Sequence, residues 1–338
     1  MAGIAGVSIA TVSRVINNPH LVQADTREHV LAVMQEVGYV STRMPGGGVD
    51  NRSHTICFLF SVADYGFYEE ALDGLESILQ PRRYTALLCP ISCDPARRAF
   101  QFETICARKP DGIIYALRDF HPENMEQINA ARIPIVLARK YEQAPETYNC
   151  CYVNFAEGSY RMTQHLIALG RRKIMLLVEK VSFQFVASFC EGWRRAYEES
   201  GLPCSDAWII HTQNTVEGGY AKAMELLQDK KAPEAFFCAS GEMAFGALRA
   251  ARDLNVSTPE ELAVVGFTDP AIAQLSEPKL TTIDQSTRRL SIVAVRMLFD
   301  IIEESDSENA APQEIVLQPK LFIRNSCGNS KPVNVLFE

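Results

Sequence analysis

Short apolar runs alternating with amphipathic helices constrain the fold of this chain more than any other feature. Residues Thr55–Ser61 read Thr-Ile-Cys-Phe-Leu-Phe-Ser. This run is continuous rather than alternating, the pattern of a strand covered on both faces in a parallel sheet. A helical pattern from about Tyr68 to Leu79 follows it. Then come a strand at Thr85–Cys89, a helix through Arg97–Ala107, a strand at Gly112–Tyr115, a helix around Asn124–Ala131 and a strand at Ile135–Leu137. A second set of similar size succeeds the first. Its helices are expected at about Gly158–Leu169, Cys190–Ser200, Tyr220–Gln228 and Met243–Leu254, and its strands at Lys173–Val178, Ala207–Ile210, Ala235–Cys238 and Leu262–Gly266. Two successive sets imply an α/β chain with two doubly wound parallel layers rather than one large sheet. A helix at about Arg288–Glu303, a polar loop through Ala310 and a strand at Glu314–Pro319 complete the pattern.

The residues before Thr55 follow a different logic. Between Val7 and Asn18 a short helix opens on Ser8, with Val12, Val15 and Ile16 forming an inner face. Ile9, Ala10, Thr11, Ser13 and Arg14 are left to point outward. Short uncharged side chains with one Arg suit a helix lying close against nucleic acid, as in the recognition helix of a helix-turn-helix. After a turn at Asn18-Pro19-His20, a second helix is expected from about Gln23 to Val37. Val30, Val33, Met34 and Val37 lie on one face of it, Gly38 stops it, and Tyr39 and Val40 pack back on the small bundle. The run Met44-Pro-Gly-Gly-Gly-Val-Asp-Asn-Arg-Ser53 has the high backbone entropy of a linker.

At 338 residues and 47% hydrophobic content, the chain is large enough for two or three well-packed domains. A formal charge of −8 argues against coating nucleic acid by bulk electrostatics, and a local DNA reader remains open. In residues 1–53, Arg14, Arg27, Arg43 and Arg52 only offset Asp25, Glu28, Glu36 and Asp50. The ten cysteines form no pair of CxxC units, and no His stands at zinc-finger spacing. Cys89/Cys93 and the adjacent Cys150-Cys151 therefore read as reduced, mostly buried thiols, not as metal ligands or a redox pair. No catalytic constellation, metal site, cofactor motif, export signal or membrane-length apolar run is present, so a soluble, cytoplasmic, non-enzymatic protein is expected.

The motif Val7-Ser8-x-Ala10-Thr11-Val12-Ser13-Arg14-Val15-x-Asn17 and a helix closing on Gly38-Tyr39 accompany further landmarks along the body. These are Asp111-Gly112-Ile113-Ile114, Ile133-Pro134-Ile135-Val136, His165-Leu166-x-x-Leu169-Gly170, Gly246-Ala247-Leu248-Arg249-Ala250, Val265-Gly266-Phe267 and Leu280-Thr281-Thr282-Ile283. Together, from about residue 2 to residue 325, they resemble the lactose-repressor (LacI/GalR) family of bacterial transcription regulators. The resemblance implies a helix-turn-helix head at 1–43, a linker at 44–53, and a two-lobed body at 54–328 like periplasmic binding proteins, with 329–338 as a tail. The chain would pass between lobes near Asn154, Ile283 and Gln318. One lobe would then hold about 54–154 and 284–316, the other about 155–283 and 317–328. It also implies a homodimer that binds double-stranded operator DNA, no contact with membranes, and control by a small molecule between the lobes.

Carried onto this sequence, the family's DNA contacts fall on Ser8, Ile9, Ala10, Thr11, Ser13, Arg14 and Asn17. Arg14 is the residue able to pair bidentately with guanine. The effector-binding positions are Tyr65, Phe67, Tyr68, Arg139, Phe155, Phe189, Ser240 and Asp269. Three departures accompany the match. Only Met1–Ala5 precede the Gly6-Val7-Ser8 turn, where the family has a full first helix, and five residues cannot hold a helix alone. The hinge segment carries Met44-Pro45-Gly46-Gly47-Gly48, with Gly48 in place of the family's Leu. In the cleft, Phe189, Ser240-Gly241 and Thr268 replace an Arg, an Asn-Asp pair and an Asp that grip sugars. The losses point away from a typical sugar and toward a less polar or aromatic effector, or none, and the effector class expected is sugar-like or aromatic. A vestigial or purely ligand-sensing protein that no longer reads DNA is the alternative.

Overall fold

The computed structural model describes residues 1–17, 19–37, 52–61, 69–180, 184–229, 232–303, 311–328 and 333–335. They divide into two compact units, Met1–Ser53 and His54–Glu338.

In the first unit, α1 (Ile9–Asn17) is followed by a 3-10 turn at Pro19–Leu21 and by α2 (Ala24–Glu36). The Ser8 hydroxyl accepts the Thr11 N–H at 3.0 Å, an N-cap worth about 1 kcal/mol. Val12 and Val15 from α1 meet Val30, Val33 and Met34 from α2 in one small core. The first residues join that core. Ile4 and Ala5 donate backbone N–H bonds to the Met1 carbonyl, and the Val7 N–H bonds that of Ala2. The His29 ring nitrogen Nε2 lies 3.1 Å from the Ala5 carbonyl oxygen. A segment too short to be helical by itself is thus held as hydrogen-bonded turns by docking on α2. The expected stop at Gly38, and Tyr39, Val40 and nearly all of the 44–53 linker, lie outside the described residues.

The second unit begins with β1 (Thr55–Ser61), α3 (Glu69–Leu79), β2 (Thr85–Ile91), α4 (Pro95–Ala107), β3 (Gly112–Ala116), α5 (Pro122–Ala130), β4 (Ile135–Leu137) and β5 (Asn149–Val153). The chain then runs through α6 (Phe155–Ala168), β6 (Ile174–Glu179), α7 (Gln184–Glu199), β7 (Ile209–Thr212), α8 (Val216–Leu227), β8 (Ala235–Cys238), α9 (Gly241–Asp253), β9 (Ala263–Phe267), α10 (Pro270–Ala273) and β10 (Thr281–Asp284). The last elements are α11 (Thr287–Glu303), β11 (Glu314–Leu317), β12 (Lys320–Ile323) and β13 (Val333–Val335).

Two sheets result, in the orders β11-β5-β4-β3-β1-β2 and β13-β12-β10-β9-β8-β6-β7. The chain therefore passes between sheets after β5, after β10 and after β11. All pairings in the first sheet are parallel. The second departs from the expected all-parallel layer, because β12 runs antiparallel to both β10 and β13. Gln318-Pro319 separates β11 from β12, and Pro319 has no N–H with which to continue a ladder. The single expected strand at Glu314–Pro319 is thus β11 alone, and the residues after it belong to the other sheet.

Burial explains the layers. β1 is buried from Ile56 to Ser61, and β3, β8 and β9 are buried throughout. α11 returns across the first sheet and inserts Ala294, Val295, Leu298 and Phe299 beside Leu75 and Leu79 of α3. In the second lobe, α8 and α9 cross so closely that a Cβ on Gly246 would collide with the Val216 carbonyl oxygen. Only glycine permits that approach. The adjacent Cys150 and Cys151 lie in β5 and face opposite sides of the sheet.

Candidate functional site

On α1 the two faces separate cleanly. Val12 and Val15 are buried, whereas Ser8, Ile9, Ala10, Ser13 and Arg14 are exposed and Thr11 is half-buried. Ile9 is 80% exposed. Asn17 ends the helix, and its side chain is outside the described residues. The Ser8 and Thr11 hydroxyls lie 2.9 Å apart at the start of the helix.

The second unit contains a cleft of about 460 Å³ between the C-terminal ends of the two sheets, within the size range of small-molecule sites. Phe58 of β1, Arg118 beyond β3 and Arg139 beyond β4 line one side. Glu179 at the end of β6, Phe185 of α7, Ser240, Phe267 and Asp269 line the other. Ligands bind at these strand ends in open α/β sheets because the loops there are free to diverge.

Phe155, at the crossover from β5 to α6, forms the apolar wall. Its ring meets Phe185 edge-on at 5.1 Å and Phe267 edge-on at 5.2 Å. Phe189 does not line the cleft. It sits one turn beyond Phe185 on α7, is fully buried, and packs edge-on against Phe267 at 5.0 Å and against Phe237 of β8 at 5.7 Å. An Arg would project past this layer, but an apolar ring is drawn into the core behind it.

Ser240 and Asp269 do reach the cleft while also holding helices. The Ser240 hydroxyl accepts the Met243 N–H at 3.2 Å to cap α9, and Asp269 accepts the N–H groups of Ala271 and Ile272 to cap α10. Arg139 Nε donates to the Ala116 carbonyl at 3.3 Å, which turns its side chain along the first lobe's wall. Tyr65, Phe67 and Tyr68 lie outside the described residues.

The polar groups that meet across the cleft carry no signal in the sequence. Arg118 Nη1 donates to both carboxylate oxygens of Glu179 at 3.0 Å, linking the lobes along one rim. The Glu70 carboxyl of α3 interacts with that of Asp269 in the other lobe. Burial, followed by that interaction and the charges of Asp269 and Asp284, pushes the Glu70 carboxyl up to about 7. Burial also raises the Asp284 carboxyl. Among the described residues no group of His, Cys, Asp and Glu is placed to hold a metal ion. No described helix is long and apolar enough to cross a membrane.

Residues 1–41 match the family described as bacterial regulatory proteins, lacI family, and residues 163–327 match the periplasmic binding protein-like domain. The chain is 29% identical over 337 residues to the HTH-type transcriptional regulator DegA of Bacillus subtilis, covering 99% of this chain and 98% of that protein. It is 28% identical over 329 residues to the HTH-type transcriptional repressor PurR of Actinobacillus pleuropneumoniae, covering 97% of each. Its fold is similar to that of the transcriptional regulator CelR in complex with cellobiose, with a TM-score of 0.74, 27% identity, and coverage of 96% of this chain and 98% of that one. An outward-facing helix on one unit and a two-sheet cleft on the other are thus found in a chain that joins a lacI-family regulatory segment to a periplasmic binding protein-like domain.

Proposed function

We propose that this protein is a transcription repressor that binds double-stranded operator DNA as a homodimer, and that a small molecule held between its lobes sets the affinity. The observation that carries the proposal is the outward face of α1. Ile9, Ala10 and Arg14 are exposed while Val12 and Val15 hold the helix from behind. Arg14 supplies the hydrogen-bonded base contact, and Ile9 and Ala10 supply apolar contacts of the kind made with a thymine methyl. Ser8, Thr11, Ser13 and Asn17 lie along the same short helix, within reach of flanking phosphates.

The division that serves this function is a head at 1–43, a linker at 44–53 and a body from 54 whose second sheet includes β13 at Val333–Val335, past the expected boundary at 328. The effector contacts are Arg139, Phe155, Ser240 and Asp269, with Phe189 supporting the aromatic wall from behind. The protein is a regulator rather than an enzyme and acts in the cytoplasm, where its operator is. Selection from a random duplex pool by the full chain tests the reading. Enrichment of a sequence with two inverted half-sites supports a dimeric reader, because protein two-fold symmetry is mirrored in the DNA. Recovery of unenriched DNA would leave a ligand-sensing protein without operator recognition.

A further inference from the structure

The cleft is built to receive positive charge. Three carboxyl groups converge on it from separate elements: Glu70 from α3, Asp269 at the start of α10 and Asp284 at the end of β10. Most cations around them have partners elsewhere, while Arg139, whose Nε donates to the Ala116 carbonyl, lines the same cleft and Arg288 also acts on Glu70 through its field. Arg288 is paired with Asp73. Arg324 donates to the carbonyls of Leu280 at 2.8 Å and Pro270 at 2.7 Å. Lys320 reaches Asp284 only through its field. On the far rim, Arg118 is matched by Glu179, and Lys140 is matched by Glu314 at 2.6 Å. Three clustered carboxylates in a half-buried cleft repel one another, and a proton on Glu70 relieves that repulsion.

Groups without partners point the same way. Asn214 and Gln285 line the cleft, and behind its surface their Oδ1 and Oε1 are buried with no hydrogen-bond donor among the described residues. Thr287, only 6% exposed, also lines it, and its hydroxyl makes no hydrogen bond among the described residues. A buried acceptor left unpaired costs about 1–3 kcal/mol, so Asn214 Oδ1 and Gln285 Oε1 each call for a donor, while the Thr287 hydroxyl can accept as well as donate. The apolar wall of Phe155, Phe185 and Phe267 lines the same cleft.

We propose that the effector is an organic ammonium ion whose apolar or aromatic body lies on the phenylalanine wall and whose charged nitrogen is held by Glu70, Asp269 and Asp284. An ammonium group has three donors and no acceptor, the complement of this lining. A neutral polyol donates but leaves the carboxylate repulsion in place. The inference rests on the cleft being the effector site, and it specifies that effector's chemistry.

Calorimetric titration of the full chain with 2-phenylethylamine and with its neutral counterpart 2-phenylethanol isolates the charge. The amine is expected to bind about ten-fold or more tightly than the alcohol, the ratio of a charge-assisted to a neutral hydrogen bond. Its affinity should rise between pH 5.5 and 7.5 as Glu70 gives up its proton, while that of the alcohol stays flat. Glu70→Gln and Asp269→Asn each bring the amine-to-alcohol ratio toward one, and Asn retains the helix cap in the second variant. Equal affinities, an unchanged ratio in both variants, or binding of cellobiose without binding of the amine overturns the ammonium inference and leaves the effector cleft standing. Silence to all three probes counts against both.

Discussion

Arg118 and Glu179, 61 residues apart in sequence, close one rim of the cleft through a single guanidinium nitrogen shared between two carboxylate oxygens at 3.0 Å each. Their side chains are 16% and 20% exposed, so the pair is shielded from most solvent screening. Arg118 lies beyond β3 in one lobe and Glu179 ends β6 in the other, so the contact exists only while the lobes are together. Arg118→Ala is therefore expected to weaken closure by about 1–2 kcal/mol. Small-angle scattering of the variant should give a larger radius of gyration than the parent, and equal radii would remove the pair from any role in closure.

Glu70 gives the body a pH dependence with a definite sign. Its carboxyl is pushed up to about 7 in the folded protein, above its ordinary value of 4.5, by burial and by the neighbouring carboxyl groups. A carboxyl raised on folding favours the folded state when protonated. Its contribution is fully present below pH 4.5 and is lost as pH rises through 7. The melting temperature of the body should fall between pH 5 and 8 in the parent. Glu70→Gln, neutral throughout, should flatten that slope, and an equally steep slope in the variant would assign the dependence to other groups.

Arg14→Ala is expected to leave the head folded, because Arg14 is exposed and Val12 and Val15 hold α1. Specific DNA affinity should fall by about 1–3 kcal/mol, the range for one bidentate base contact. Circular dichroism checks the fold and a gel shift checks the affinity. An unchanged gel shift would show that base reading lies elsewhere.

Gly246→Ala should destabilise the body by about 1–3 kcal/mol through overpacking, because the added methyl meets the backbone of α8 at Val216 and Tyr220 rather than a movable side chain. Urea unfolding monitored by tryptophan fluorescence measures this, with Trp193 fully buried in the same lobe as the reporter. A neutral result would mean that α8 and α9 separate at little cost.

The fold was legible where burial on both faces leaves an apolar run. β1, β4 and β8 occupy the residues expected from such runs, and the inner face of α1 follows from the spacing of Val12, Val15 and Ile16. Four strands, β5, β10, β12 and β13, were not expected, and for two of them the physical reason is plain. β5 reads as a cysteine pair because its five residues carry no long aliphatic stretch, and β12 is hidden by Pro319, which suggests an end rather than a change of sheet. Of the cleft, single residues such as Phe155, Arg139 and Asp269 were legible through the family's landmarks. Pairings such as Arg118–Glu179 and Glu70–Asp269 were not, because they join loops at the ends of different sheets and no local pattern specifies them. Phe189 shows the converse limit. A position equivalent to a ligand-gripping Arg turns inward once its side chain is apolar.

The central claim, that α1 reads DNA sequence, is tested most directly by fluorescence anisotropy of the full chain on promoter DNA from its neighbouring genes, compared with a scrambled duplex over a series of salt concentrations. The account predicts tighter binding to the promoter, by about 10³-fold or more as is typical of specific readers, with both affinities falling as salt rises. Equal affinity for the two duplexes at every salt concentration would contradict it.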